Sequence, residues 1–213
     1  MSDHRAAQSP VVDQGGRSIC AACAVTAAHE WCLGPALSIE DAYWNGKQCD
    51  PWPDKEGTSV AHILDSLRAA GHALEHAWPM NNPEYPGPPP PASLLPANRL
   101  STPGWQRLPT PTPTDVHNAI TQCVVILSLR HVPTAWDQGP LVHAEAGAQT
   151  AGGHAVLAVG DITFGGHDTV IIRNSWGAGW GHNGFGYVTD TYLEHYLKRA
   201  FTLDCLTTGA AVA

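Results

Sequence analysis

Positive charge is scarce in this chain of 213 residues: 11 Lys and Arg stand against 19 Asp and Glu, a formal net charge of −8. There is no run of basic residues. The electrostatic footprint of a nucleic-acid binder is therefore missing, and no nucleic-acid partner is expected. No apolar stretch reaches the roughly 18 residues that a membrane-spanning helix needs, so no membrane partner is expected either. The first residues, MSDHRAAQSPVVDQGG, lack the apolar core of a signal peptide, and the expected location is cytoplasmic. The histidines are scattered, with no metal-binding tract, and no cofactor is expected. The six cysteines are Cys20, Cys23, Cys32, Cys49, Cys123 and Cys205. Without a secretion signal, most are expected to be reduced thiols. No internal repeat is visible.

The chain does have enough apolar material for a sizeable core, with 43% hydrophobic residues and eight tryptophans. Cys20, Cys23, Ala24, Ala27, Ala28 and Trp31 recur at helical spacing, which predicts a helix from Cys20 to Cys32 with one apolar face. Ser18 is its expected N-cap. Further helices are predicted at Ser38–Asn45 and at Thr58–Ala70, the latter capped by Thr58 or Ser59 and ended by Gly71. From Pro79 to Pro113 there are twelve prolines, four of them consecutive at Pro88–Pro91. Such a stretch is expected to be irregular or polyproline-like. It reads as a surface connector between two lobes, or else as a peptide ligand for a partner domain. After a short helix at Asp115–Thr121 the pattern changes to short β-branched runs at Cys123–Leu129, Ala155–Val159, Val170–Arg173 and Phe185–Thr189, with a last strand at Phe201–Leu206. Helices first and strands second argue for an α+β fold. The expected organisation is one domain over 1–213: a left lobe over about 11–78, the connector over about 79–113, and a right lobe over about 114–213.

Four residues could together carry carbonyl chemistry. Cysteine attacks as the thiolate, and its free pKa of about 8.5 demands activation. Cys20 sits where a helix begins, with free amide donors and partial positive charge. His154 opens an apolar strand after Gly152 and Gly153, where its ring can face a cleft and take the thiol proton. Asn174 ends another apolar strand and can accept the second imidazole N–H, fixing the tautomer. Gln14, six residues before Cys20, can donate its amide to an oxyanion, alongside the Cys20 backbone N–H. Each alone is weak evidence. A single cysteine at a helix start is usually a small buried hydrophobe, and a single histidine on an apolar strand is usually a satisfied core residue.

Order and spacing carry more. Asp13-Gln14-Gly15, with Cys20 six residues after the glutamine, resembles the nucleophile segment of the papain-like cysteine proteases. Gly153-His154-Ala155-Val156 resembles their histidine strand. Asn174-Ser175-Trp176-Gly177-Ala178-Gly179-Trp180-Gly181-His182-Asn183-Gly184 is very close to their asparagine motif, and Leu37-Ser38-Ile39-Glu40 resembles a helix start of the same family. His154 follows Cys20 by 134 residues and Asn174 by 154, near the separation of roughly 130–150 expected there. The resemblance implies an α+β papain-like two-lobed fold, with a helical left lobe, an antiparallel β-rich right lobe and the active-site cleft between them. It implies peptide hydrolysis through Cys20, His154, Asn174 and Gln14, and an activated thiol with a pKa far below the free value. An extended peptide or protein substrate would lie in the cleft. Gly57 and Thr58 would hold its backbone, while Gly152, Gly153 and Ala155 would border a pocket with room for an apolar side chain. Trp180 would line the leaving-group side, and Trp176 would shield the His154–Asn174 bond.

The chain also departs from that family. Arg17-Ser18-Ile19 stands where Cys-Gly-Ser is usual, Ala21 replaces an aromatic residue, and Gly153 precedes the histidine where Asp or Asn is common. Only about ten residues precede the matching region, so narrow specificity, low intrinsic activity or a regulatory partner is expected in place of an inhibitory propeptide. Three rival readings share these residues. The same thioester can be captured by an amine, giving acyl transfer or amide ligation. The chain can be a non-catalytic binding module. Cys20 and Cys23 can form a redox or zinc pair, although no second pair completes a zinc site.

Overall fold

The structure, a computed structural model, describes residues 1–80 and 89–205. Its helices are α1 (Cys20–Leu33), α2 (Ile39–Gln48), α3 (Val60–Ala70), α4 (Pro113–Ile120), α5 (Pro133–Trp136) and α6 (Asp190–Tyr196). Its strands are β1 (His72–Ala73), β2 (Arg99–Leu100), β3 (Trp105–Arg107), β4 (Val125–Arg130), β5 (Leu141–Val142), β6 (Gly153–Phe164), β7 (His167–Arg173), β8 (Phe185–Thr189) and β9 (Leu197–Leu203). Seven strands form one sheet in the order β3-β9-β4-β6-β7-β8-β5. Every pair in it is antiparallel except β5 with β8. The α+β architecture expected from the sequence is the one observed.

Sheet alternation explains the layering, because successive side chains point to opposite faces. Ile126, Ala155, Leu157, Val159 and Ile171 face α1, α2 and α3 in one apolar cluster. Leu127, Val156, Ala158, Val170 and Ile172 face α4, α5 and α6 in the other. The clusters contain residues from both chain halves, so the sheet is covered on both sides.

Local chemistry sets most helix ends. Ser38 accepts from the Asp41 amide at 3.0 Å, Ser59 from the His62 amide at 3.2 Å, and Gly71 closes α3 with φ +76°. Thr112 and Asp115 form a capping box ahead of Pro113. Helices α1 and α5 lack a side-chain cap. Ser18 does not cap α1; the Ser18 hydroxyl donates to Glu56 at 2.9 Å, and Ile19 occupies the cap with no side-chain bond. Nor is α1 apolar on one face alone. Every residue from Ala21 to His29 is buried, because small side chains let other elements approach from all around. The loop before α1 is tied down by a buried ion pair, in which Arg17 donates to both carboxylate oxygens of Glu40 at 2.5 and 2.9 Å.

Three further expectations change. The proline-rich stretch is partly regular: β2 pairs with β1, and β3 forms an edge of the large sheet against β9. Pro83, Pro86 and Pro88 lie outside the described residues. The last strand is Leu197–Leu203, and Leu206 lies outside the described residues. Finally, Cys32 and Cys205 are joined in a disulfide, where reduced thiols were expected. Packing decides this, not sequence spacing. Folding carries the end of α1 to the segment after β9, across 173 residues, and leaves the two Cα atoms 5.6 Å apart, within bridging range. Cys20, Cys23, Cys49 and Cys123 are free.

Candidate active site

The asparagine motif is built by its turns. The Asn174 amide donates to Gly184 O at 3.0 Å, and the Gly184 amide donates to Trp180 O at 2.7 Å, closing the loop on itself. Gly184 has φ +87°, and a Cβ there would come within 2.5 Å of a Val11 methyl. Only glycine meets both conditions. The same loop binds the N-terminal segment: the Gln14 amide donates to Ser175 O at 2.8 Å, and the Gly177 amide to Val12 O at 3.0 Å. Gln14 is thus placed by the very motif that carries Asn174.

On the sheet, β6 and β7 are antiparallel neighbours, with Leu157 paired to Arg173. This register sets His154, near the start of β6, beside Asn174 at the end of β7. His154 Nε2 lies 2.8 Å from Asn174 Oδ1. The Ser175 backbone amide donates to that same Oδ1, also at 2.8 Å. An N–H donor identifies the atom as the amide oxygen, so Nε2 must carry the hydrogen. In the neutral ring Nδ1 is then the unprotonated nitrogen, available as a base on the cleft side.

Aromatic rings enclose that bond. Trp176 stacks on the His154 ring at 4.9 Å with an interplanar angle of 29°, and Trp136 meets the ring edge-on at 4.9 Å and 89°. Trp136 is itself held by Tyr192, whose hydroxyl accepts from Trp136 Nε1 at 2.8 Å and donates to Arg130 O at 2.6 Å. His131 lies 5.9 Å from His154 by ring centroids. Trp136, Tyr192 and His131 were not anticipated. Nothing in their local sequence separates them from ordinary core residues, and only the fold brings them to His154.

A cleft of about 670 Å³ is lined by Cys20, His154, Gly57, Thr58, Gly152, Gly153 and Ala155. Seven of the eleven residues singled out from sequence therefore share one cavity. Gln14 is buried beside it. The Gln14 Nε2 donates one hydrogen to Arg17 O at 2.7 Å, and its Oε1 accepts from Ser175 Oγ at 2.5 Å. A second Nε2 hydrogen remains. Trp180 is not among the residues lining this cavity; its ring stacks on Trp136 at 5.8 Å and its Nε1 donates to Trp136 O. Asp50, Lys55, Glu56, Lys198 and Arg199 add a charged rim, with Ser18 beside it, that the sequence did not reveal.

Electrostatics favours neutral groups at rest. Burial pushes the Cys20 thiol up, against the opposing pull of the Ala155, Ala21 and Cys20 amides. Burial pushes His154 down to about 4, with the Asn174 bond raising it and His131 lowering it. Among the described residues no hydrogen bond joins Cys20 Sγ to the imidazole. Burial thus opposes the charged form of both groups, in the opposite direction to the activation that the resemblance implies. Cys23 is buried in the core, where desolvation also raises its thiol, and its sulfur faces apolar packing.

Comparison with known proteins agrees with this architecture. The family described as papain family cysteine protease matches residues 104–197. A cysteine protease of Blomia tropicalis is 63% identical over 35 residues, 16% of this chain and 10% of that protein. Papaya proteinase 4 of Carica papaya is 56% identical over 32 residues, 15% of this chain and 9% of that protein. The chain thus matches about a tenth of the length of these curated relatives. The structure of digestive procathepsin L 3 from Tenebrio molitor superposes with TM-score 0.75 at 22% identity, covering 95% of this chain and 68% of that one. A Carica candamarcensis cysteine protease in complex with E-64 superposes with TM-score 0.70 at 19% identity, covering 94% and 96%. The chain thus has the fold of these cysteine protease structures, and its segment 104–197 is similar to the papain family.

Proposed function

We propose that the protein hydrolyses peptide bonds through a Cys20–His154–Asn174 triad and a thioester intermediate. The observation that supports this most directly is the orientation of one ring. His154 gives its Nε2–H to Asn174 at 2.8 Å, leaving Nδ1 as the free base in the cleft that Cys20 also lines. Because burial favours the neutral thiol and imidazole, proton transfer accompanies attack: Sγ bonds to the carbonyl carbon as its proton passes to Nδ1. The oxyanion accepts from the Cys20 backbone N–H, which heads α1, and from the spare Gln14 amide hydrogen. His154 then gives its proton to the departing amine. Water, deprotonated by the same Nδ1, cleaves the thioester and restores the thiol.

The substrate backbone would lie along Gly57 and Thr58. A side chain would enter between Val60, Leu129 and Ala155, which give that part of the cleft an apolar wall. Trp176 and Trp136 keep water from the His154–Asn174 bond. The test is incubation with E-64 followed by mass mapping. One adduct on Cys20, absent in Cys20→Ala, is the expected result; an adduct elsewhere, or none, rejects the assignment. A product assay with and without added amines separates hydrolysis from acyl transfer, and hydrolysis is expected to persist in the presence of amine.

A further inference from the structure

Away from the cleft, three sulfurs from distant parts of the chain converge. Cys32 ends α1, Cys123 lies between α4 and β4, and Cys205 follows β9. Their Sγ atoms all lie within 4.8 Å of one another. Cys32 and Cys205 form the disulfide, and Cys123 Sγ is 3.5 Å from Cys205 Sγ. Cys123 is 7% exposed and the other two are half-buried. A structural disulfide needs two cysteines. The third sulfur, held against the pair by the fold, is left over by that role.

We propose that, once the disulfide is reduced, Cys32, Cys123 and Cys205 form a three-thiolate binding site for a soft, thiophilic metal ion such as Cu(I). Geometry supports three sulfurs around one ion. Metal–sulfur bonds of about 2.3 Å in a trigonal or tetrahedral set place the sulfurs roughly 4 Å apart. The Cys123–Cys205 pair is already close to that spacing. Only the Cys32–Cys205 pair must open, and Cys205 lies two residues beyond the end of β9. Chemistry selects the ion. The group contains sulfur ligands alone, with no imidazole or carboxylate, and such a set favours soft ions over calcium or magnesium.

The redox step balances. Opening the bridge takes two electrons and two protons, supplied by two thiol molecules that are oxidised to their own disulfide. Metal binding then releases the three thiol protons to solvent. The site would exchange a covalent link between the end of α1 and the chain after β9 for a metal link that also holds Cys123.

The experiment uses the full chain, reduced under anaerobic conditions and titrated with Cu(I) in competition with a chromophoric Cu(I) chelator. One ion per chain is expected. Cys32→Ser, Cys123→Ser and Cys205→Ser should each weaken binding by more than the roughly 10–100-fold that losing a supporting contact costs. Cys20→Ser and Cys49→Ser should leave it unchanged. X-ray absorption on the wild-type copper form should count three sulfurs at about 2.2–2.3 Å, a readout that needs no variant to fold. The proposal is overturned by two sulfurs in that spectrum, by binding that survives Cys123→Ser, or by binding lost in Cys20→Ser. A bridge that stays closed in millimolar thiol while the chain remains folded also overturns it.

Discussion

The two sides of the cleft are built differently. His154 and Asn174 sit on neighbouring strands of one sheet, joined by a direct bond, closed by the Asn174–Gly184 loop and walled by Trp136 and Trp176. Cys20 heads a helix that has no side-chain cap. Its position depends on burial all around α1 and on the Arg17–Glu40 ion pair beneath the preceding loop. One side is specified by short-range hydrogen bonds that a motif can encode, the other by tertiary packing. The family match follows the same division, covering 104–197 but not the helix that carries the nucleophile.

Variants can break this comparison. Cys20→Ala and His154→Ala should each lower kcat/KM by roughly 10⁴-fold or more, as expected for residues that act as one unit. A loss below tenfold in either, measured on a fluorogenic peptide, removes the triad. Trp136→Ala should act through the His154 side. It should cost about 3–5 kcal/mol of stability, because Trp136 is fully buried and braces the imidazole. Urea denaturation gives the number, and an effect under 1 kcal/mol would mean that the wall is not structural. Gln14→Ala should lower kcat by roughly 100-fold with little change in KM, equivalent to about 2.7 kcal/mol. A change confined to KM would remove Gln14 from the oxyanion site.

Acid sharpens the comparison through the buried histidines, one pair on the helical side and one residue on the strand side. His29 and His72 face each other with Nδ1 atoms 3.0 Å apart. His72 Nε2 gives its hydrogen to Ser38 O at 2.9 Å, so His72 Nδ1 accepts from His29. Burial lowers His29 to about 3 and His72 and His154 to about 4. These groups stay neutral when folded, whereas the unfolded chain protonates them below about 6.5. The fold therefore loses stability as pH falls from about 6.5 toward 4, by about 1–2 kcal/mol per histidine at pH 5. Melting temperature against pH measures this, and His29→Gln should flatten the slope by one such increment. A flat profile would mean that the histidines open to water. The smallest effect concerns reactivity alone: iodoacetamide labelling of Cys20 in the free protein should rise only at alkaline pH. Labelling that stays fast at pH 5 would reveal a preformed ion pair.

Much of this was legible beforehand. The start of α2 and both ends of α3 follow from Ser38, Ser59 and Gly71, because capping is chemistry between residues three or four apart, whereas α2 runs on to Gln48, past the expected end at Asn45. The strands of the β-rich half follow from β-branched runs. The four candidate residues follow from motifs whose glycines and polar side chains are needed by tight turns. Ser18 misled because α1 begins at Cys20, which makes Ile19 the cap; Ser18 stands one residue too early, and its hydroxyl donates to Glu56. Helix α6, at Asp190–Tyr196, lies between two predicted strands in a segment to which no element was assigned. The disulfide was missed because the composition of the first residues says nothing about which sulfurs meet.

By itself the sequence determined which chemical groups exist and how each short segment bends: a thiol at a helix start, an imidazole on a strand, an amide on a glycine-rich loop. Tertiary structure alone decided which distant groups meet. It set Trp136 against His154, joined Cys32 to Cys205 beside Cys123, and gave the thiol and imidazole surroundings that favour their neutral forms. The reason is physical: capping and turn formation act over a few residues, whereas desolvation and ring contact depend on neighbours that lie far apart in the chain.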